Sequence, residues 1–233
     1  MSMIVGLNKY AIQQYSQYGE DGMIQEALES VGSSRNGFFV DVGSWDGIHL
    51  SNVYRLILES NFSGVCIEAN TEKFKELQEN MKNYKISCLN SKVSLSTSNS
   101  LTTLLKQTNC PVDFDLLSID IDGNDFWIWK SLEEYRPKVV IIEYNSNHNG
   151  SYVMPYDEDY VHLNNINFYG ATPPALNKLA VHLGYDLVGI NQVNTVFVRN
   201  DINNLRKISL DEYPWYAPWA NPTEKQMQLI NSI

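Results

Sequence analysis

The sequence predicts the α/β class: a seven-stranded, mostly parallel sheet with helices on both faces and an antiparallel strand near one edge. Three observations carry this. Short apolar runs at 37–42, 64–68, 115–120 and 139–143 have the composition of strands buried on both faces, and they close on or beside Asp41, Glu68, Asp120 and Glu143. Between them, apolar residues recur at helical spacing. The last two apolar runs, 185–190 and 194–199, are separated only by Asn191-Gln192-Val193, a length that suits an antiparallel hairpin.

Taken in order, residues 10–22 are polar and aromatic, and a helix follows with Met23, Ile24, Ala27, Leu28 and Val31 on one face and Gly32 as its stop. After the first strand, a turn with Gly43 and Gly47 leads into a helix over about 49–60, with Leu50, Val53, Tyr54 and Ile57 as its apolar face. The second strand is followed by a helix over 72–82, with Thr71 as its expected cap. A weaker strand at 84–90 and a short helix at about 100–106 precede the fourth strand. A helix over 124–132 ends before Pro137 and the fifth strand. Residues 145–171 are aperiodic and rich in Asn, Tyr, Asp and His, and a loop of that length in a compact domain is usually functional, often a lid or substrate loop. Thr172-Pro173-Pro174 then opens a helix that ends at Gly184. Tyr213, Trp215, Tyr216 and Trp219 give the tail an aromatic character before a last short helix.

The 233 residues suit one domain over 1–233, with an N-terminal segment at about 10–32 and a C-terminal aromatic tail at about 205–233. A formal net charge of -10 provides no basic face for a nucleic acid. No apolar stretch approaches the roughly 18 residues of a membrane span, and residues 1–14 do not resemble a secretory signal. Cys66, Cys88 and Cys110 are odd in number and well separated, as expected of buried thiols in a reducing compartment. The expectation is a cytoplasmic protein with a small-molecule substrate, and the aromatic tail is a candidate homodimer contact.

The glycine turn sits where open α/β sheets bind ligands, at the carboxyl edge. It lacks two glycines of the dinucleotide fingerprint, and Asp41 and Asp46 would repel a phosphate while suiting a cation. Glu68, ending the next strand, stands where an acid accepts hydrogen bonds from ribose hydroxyls. Together these point to a ribonucleoside with a positive, phosphate-free tail, as in S-adenosyl-L-methionine. The blander readings are a tight turn for Gly43 and Gly47, helix caps for Asp21 and Asp46, and a structural role for His182.

The order of elements, with Val40-Asp41-Val42-Gly43-Ser44-Trp45-Asp46-Gly47, Glu68 and Asp120, resembles the class I S-adenosylmethionine-dependent methyltransferases, which have a Rossmann-like sheet. Tyr15 to Gly22, Leu117 to Gly123 and Val140 to Asn145 are similar to segments of the FkbM-like bacterial O-methyltransferases. The resemblance spans about 15–200 and implies O-methylation of a small sugar- or phosphate-containing metabolite, as in surface polysaccharide biosynthesis. It places Gly43, Ser44 and Asp46 around the methionyl part, Asp41 near its amino group and Glu68, with Ala69, at the ribose. It also places Asn90 or Ser91 beside the adenine, and Ser16, Gln17 and Glu20 over the cofactor.

Methyl transfer to oxygen needs the acceptor in line with the sulfonium methyl and favours loss of the acceptor proton. Asp120, Asp122, Glu143 and Asn145 stand after two adjacent strands beside the methyl donor, with Asp120 touching the cofactor. Oxygen ligands of this kind suit Mg²⁺ or Mn²⁺, and Asp120, Glu143 and Asn145 are the candidate set. The spacing Glu143-Tyr144-Asn145 departs from the adjacent Asp-Asn pair of metal-dependent O-methyltransferases. A general base is the other device, with His148 and then His162 as candidates beside Asp120 and Asp122. A nicotinamide-dependent oxidoreductase and a non-catalytic protein that keeps the cofactor fold are the alternative readings.

Overall fold

The computed structural model describes residues 6–162 and 169–217. Seven strands form one sheet: β1 (Phe38–Val42), β2 (Ser63–Glu68), β3 (Ile86–Asn90), β4 (Leu116–Ile119), β5 (Val139–Glu143), β6 (Tyr185–Ile190) and β7 (Asn194–Arg199). Their order is β3-β2-β1-β4-β5-β7-β6. The first five strands pair in parallel, while β7 runs antiparallel to both neighbours. The expected class and the antiparallel strand beside an edge are both present. The chain reverses its direction of winding between β1 and β4, where α/β sheets open a crevice for ligands.

Strand side chains alternate between two cores. Val40, Val42, Leu117, Ile119, Val140 and Ile142 face one side and pack with Leu101, Leu105, Ile128, Trp129, Leu176 and Ala180. These come from α4 (Leu101–Leu105), α5 (Asp125–Lys130) and α6 (Pro173–Leu183). Phe39, Cys66, Leu116, Ile141 and Val196 face the other side, against Met23, Ile24, Leu56, Ile57, Leu77 and Met81. Those belong to α1 (Glu20–Ser30), α2 (Tyr54–Ser60) and α3 (Thr71–Met81).

Two local expectations are corrected. The helix after the glycine turn begins at Tyr54, about five residues late, because the chain first winds through Gly47 at φ 79° and Leu50 at φ 54°. Leu50 is therefore outside the apolar face and 46% exposed, and the Ser51 hydroxyl accepts from the backbone N–H of Tyr54 at 3.1 Å. At α3 the cap is Asn70, whose Oδ1 accepts from Glu72 N and Lys73 N, while Thr71 Oγ1 donates to Asn90 Oδ1. The helix at 173 starts and stops as expected, on Pro173 and on Gly184 in the left-handed conformation. The three cysteines are free thiols. No described helix is long and apolar enough to cross a membrane. Trp219 and the last expected helix lie outside the described residues.

Candidate functional site

Strand register brings the acidic ends together. Val42 pairs with Ile67 on one side and Ile119 on the other, and Ile119 pairs with Ile142. Glu68, Asp120 and Glu143 are each one residue beyond, so they stand level along one edge of the sheet. Gly43 occupies the same level after β1. A Cβ there would lie 1.8 Å from the Asp120 carbonyl oxygen, so only glycine lets β1 and β4 run this close.

Outside this edge is a cavity of about 460 Å³, within the range of small-molecule sites. Asp41, Gly43, Ser44, Glu68, Ala69, Ser91, Asp120 and Asp122, all expected at the ligand or the chemistry, line it. So do Trp45, His49, Leu50, Asn52, Lys92, Ser118, Asn124 and Tyr160. Five described non-glycine residues have positive φ; two are Asn, and the other three, Trp45, Leu50 and Asp122, all line this cavity. Asp adopts this backbone almost as readily as Asn, but at Trp45 and Leu50 it is costly, and such strain concentrates at functional sites.

Other expected residues have work elsewhere. Glu20 is fully buried: one carboxylate oxygen accepts from Asn191 Nδ2 at 2.7 Å and Asn194 Nδ2 at 3.0 Å, the other from Tyr18 N at 2.6 Å. It ties the N-terminal segment to the β6–β7 turn and does not line the cavity. Asp21 gathers the N–H groups of Gln14, Tyr15 and Ser16 and the Ser16 hydroxyl on one oxygen. Gln17 is half-buried, away from the cavity lining. Asp46 accepts from Ile48 N and His49 N and so shapes the turn, as its capping alternative requires. Asn90 donates to the Glu68 and Ala69 carbonyls, leaving Ser91 as the one of that pair at the cavity.

Glu68 is anchored before any ligand arrives. One oxygen accepts from Trp45 N at 2.8 Å and the other from Asn70 N at 2.6 Å. Each oxygen retains a lone pair, so the carboxylate is fixed in direction yet able to accept more. Asp41 is buried beneath it. Withdrawal from water raises its pKa, against the Ser118 and Ser44 hydroxyls, and Glu68 adds to the rise.

The catalytic candidates separate in the same way. Carboxylate oxygens of Asp120, Asp122 and Glu143 lie within 4.8 Å of one another. Asp120 lines the cavity and is exposed to solvent there. The protein packed around its carboxyl, then Asp125, Asp122, Asp41 and Glu20, raise it well above the usual carboxylate range. Glu143 is raised likewise, by burial and then by Asp120, Asp125 and Asp122. Asp125 accepts from Ile121 N and Gly123 N, which fixes the turn presenting Asp122, and burial pushes it up to about 6. Asn145 is fully buried, its amide donating to Tyr169 O and accepting from Asn147 N. His148 is buried against Tyr152, ring centres 4.5 Å apart, with its pKa lowered by burial, and does not line the cavity. His162 packs edge-on against Tyr169.

No protein-family model matches this chain. No curated protein matches it either. Among solved structures, it is similar to an S-adenosylmethionine-dependent methyltransferase of Clostridium acetobutylicum at 13% identity, covering 77% of this chain and 89% of that one, with a TM-score of 0.44. A SAM-dependent methyltransferase of Aquifex aeolicus gives 13%, 75%, 86% and 0.43. TrmK of M. capricolum in complex with S-adenosylhomocysteine gives 12%, 75%, 68% and 0.44. Likeness at this level carries no functional argument for this chain.

Asn52, Lys92, Ser118 and Tyr160 are among the cavity residues that were not anticipated. Ser118 had a signal, since a lone hydroxyl inside Leu116-Leu117-Ser118-Ile119 pairs in register with Asp41. Asn52 reaches Ser118 Oγ at 3.4 Å, and its place depends on the late start of α2. Tyr160 lies in the aperiodic stretch, where spacing assigns no direction to a side chain.

Proposed function

We propose that the protein is a class I S-adenosylmethionine-dependent methyltransferase, FkbM-like in kind, that methylates a hydroxyl oxygen of a small acceptor. The carrying observation is the composition of the cavity. Asp41, Glu68, Asp120 and Asp122 line it, and Lys92, the one lysine or arginine among the lining residues, turns its ammonium to the Glu158 carbonyl. Such a lining suits a ligand with a ribose diol and a positive centre, and opposes the pyrophosphate of a nicotinamide dinucleotide.

Glu68 accepts from the ribose hydroxyls, while Asp41 and Asp120 favour the ammonium and sulfonium charges. When bound, S-adenosylmethionine supplies a methyl on a positively charged sulfur that leaves as a neutral thioether. Asp120 takes the acceptor proton as the carbon–oxygen bond forms. This replaces His148 as the base. The clustering of Asp120, Asp122 and Glu143 favours a second device: Mg²⁺ or Mn²⁺ held there would acidify and orient the acceptor.

Thermal unfolding with ligand tests the proposal. S-adenosylhomocysteine at 100 times its Kd should stabilise the fold by about 2.7 kcal/mol, and NAD at the same concentration should not. The reverse result would support the oxidoreductase. A cofactor that binds while Asp120→Asn leaves methylation of cell extracts unchanged would remove Asp120 from the chemistry.

A further inference from the structure

The segment that closes the acceptor side of the cavity is held from two directions. Asn124 Nδ2 donates to Asp157 O at 2.7 Å and its Oδ1 accepts from Asp157 N at 3.2 Å, while Trp127 Nε1 donates to Met154 O at 2.7 Å. From the β3 side, Leu95 N donates to the Tyr156 hydroxyl at 3.0 Å and Lys92 to Glu158 O. This strap seats the Tyr160 ring directly over Gly123, where an added Cβ would come within 2.6 Å of it. The glycine therefore makes room for the tyrosine.

The hydroxyl is the unexplained part. Tyr160 lines the cavity, yet its oxygen is shielded from solvent and has no hydrogen-bond partner among the described residues. Burial, then Asp122, Glu143 and Asp125, push its pKa up to about 12, so it keeps its proton. An unmatched buried hydroxyl is unfavourable, and phenylalanine would pack the same ring without it. A group of this kind in a cavity is accounted for by a ligand that supplies the partner.

Resting on the methyltransferase proposal, we infer that Tyr160 binds the methyl acceptor, donating its hydroxyl hydrogen to an uncharged oxygen of a polyhydroxyl molecule whose reacting hydroxyl faces Asp120. The charge of that end follows from the surroundings. A phosphate at that end would meet Asp122 and Glu143. A neutral oxygen accepts from the phenol without that repulsion. Selection is therefore for the unphosphorylated form at this end of the acceptor.

The test uses Tyr160→Phe in the full chain loaded with S-adenosylhomocysteine. The ligands are glucose, galactose, mannose, rhamnose, N-acetylglucosamine and glucose 6-phosphate, read by saturation-transfer NMR. At least one neutral sugar should bind the parent protein, more tightly than the phosphate, and lose tenfold or more in the variant. The variant should keep its S-adenosylhomocysteine affinity within twofold, and its ligand-free Tm should not fall. Equal sugar binding in both proteins, binding of no neutral sugar to the loaded parent, or tighter binding of the phosphate would overturn the inference. A clear loss of Tm would do so too, since the hydroxyl would then have a partner inside the protein. Failure of S-adenosylhomocysteine to bind the parent would instead remove the functional proposal beneath it.

Discussion

Replacing Glu20 separates a cofactor contact from an internal tie. Its two oxygens receive three N–H donors, from Tyr18, Asn191 and Asn194, with no exposure to solvent. Glutamine keeps one acceptor oxygen and turns an NH₂ group toward at least one of those donors, a mismatch of about 1–3 kcal/mol. Alanine strands all three, at about 3–5 kcal/mol. A chain of this size shifts by about 2–4 °C per kcal/mol, so Glu20→Gln should lower Tm by about 2–12 °C and Glu20→Ala by more. Near-UV circular dichroism on heating reads the loss. Calorimetry with S-adenosylhomocysteine, at a temperature where every variant is folded, should show affinity within threefold of the parent. An unchanged Tm in both variants would refute the internal tie. So would a tenfold loss of affinity in Glu20→Gln with Tm within 2 °C of the parent, because the carboxylate would then be facing ligand.

The acid cluster makes stability depend on pH. Asp120, Asp125 and Glu143 have raised folded-state values, with Asp125 at about 6, so the folded state holds their protons more tightly than the unfolded chain. Their contribution falls as pH rises from about 4 through 6 and beyond. Asp122 adds to all three shifts, and asparagine tolerates its φ of 56°. Asp122→Asn should therefore stabilise the protein by about 1 kcal/mol at pH 8 and by less at pH 5; an equal gain at both would contradict the cluster's role. Glu68→Ala should weaken S-adenosylhomocysteine by about 1.5–3 kcal/mol in calorimetry, beyond any drop in Tm from losing its bonds to Trp45 and Asn70, and retained affinity would take Glu68 out of the site. Titration with Mn²⁺ should show one site in the parent protein that weakens in Asp122→Asn; no binding at millimolar Mn²⁺ would leave Asp120 alone to take the proton.

The sheet was legible because its central strands are short, mainly apolar runs, and parallel pairing then fixes which ends share an edge. That pattern, with the family resemblance, is why Asp41, Glu68 and Asp120 could be placed together. Leu50 shows what spacing misses: at helical distance from Val53 and Tyr54, it reads as helix, yet Gly47 and its own left-handed backbone delay α2 to Tyr54. Glu20 was expected over the cofactor, because its Asn partners lie 171 and 174 residues away, beyond the reach of local spacing. His148 was the best base by residue type, and burial against Tyr152 was not in its neighbours' spacing. Tyr160 needs the strap from Asn124, Trp127 and Lys92 to point it.

Diffraction from crystals grown with S-adenosylhomocysteine bears most directly on the proposal that the carboxyl edge of β1, β2 and β4 grips an adenosine and a sulfur. The expected density has both ribose hydroxyls on the Glu68 carboxylate and the sulfur beside Asp120, with Ser91 toward the base. A ligand bound elsewhere, or lying in the cavity with its ribose away from Glu68, would contradict it.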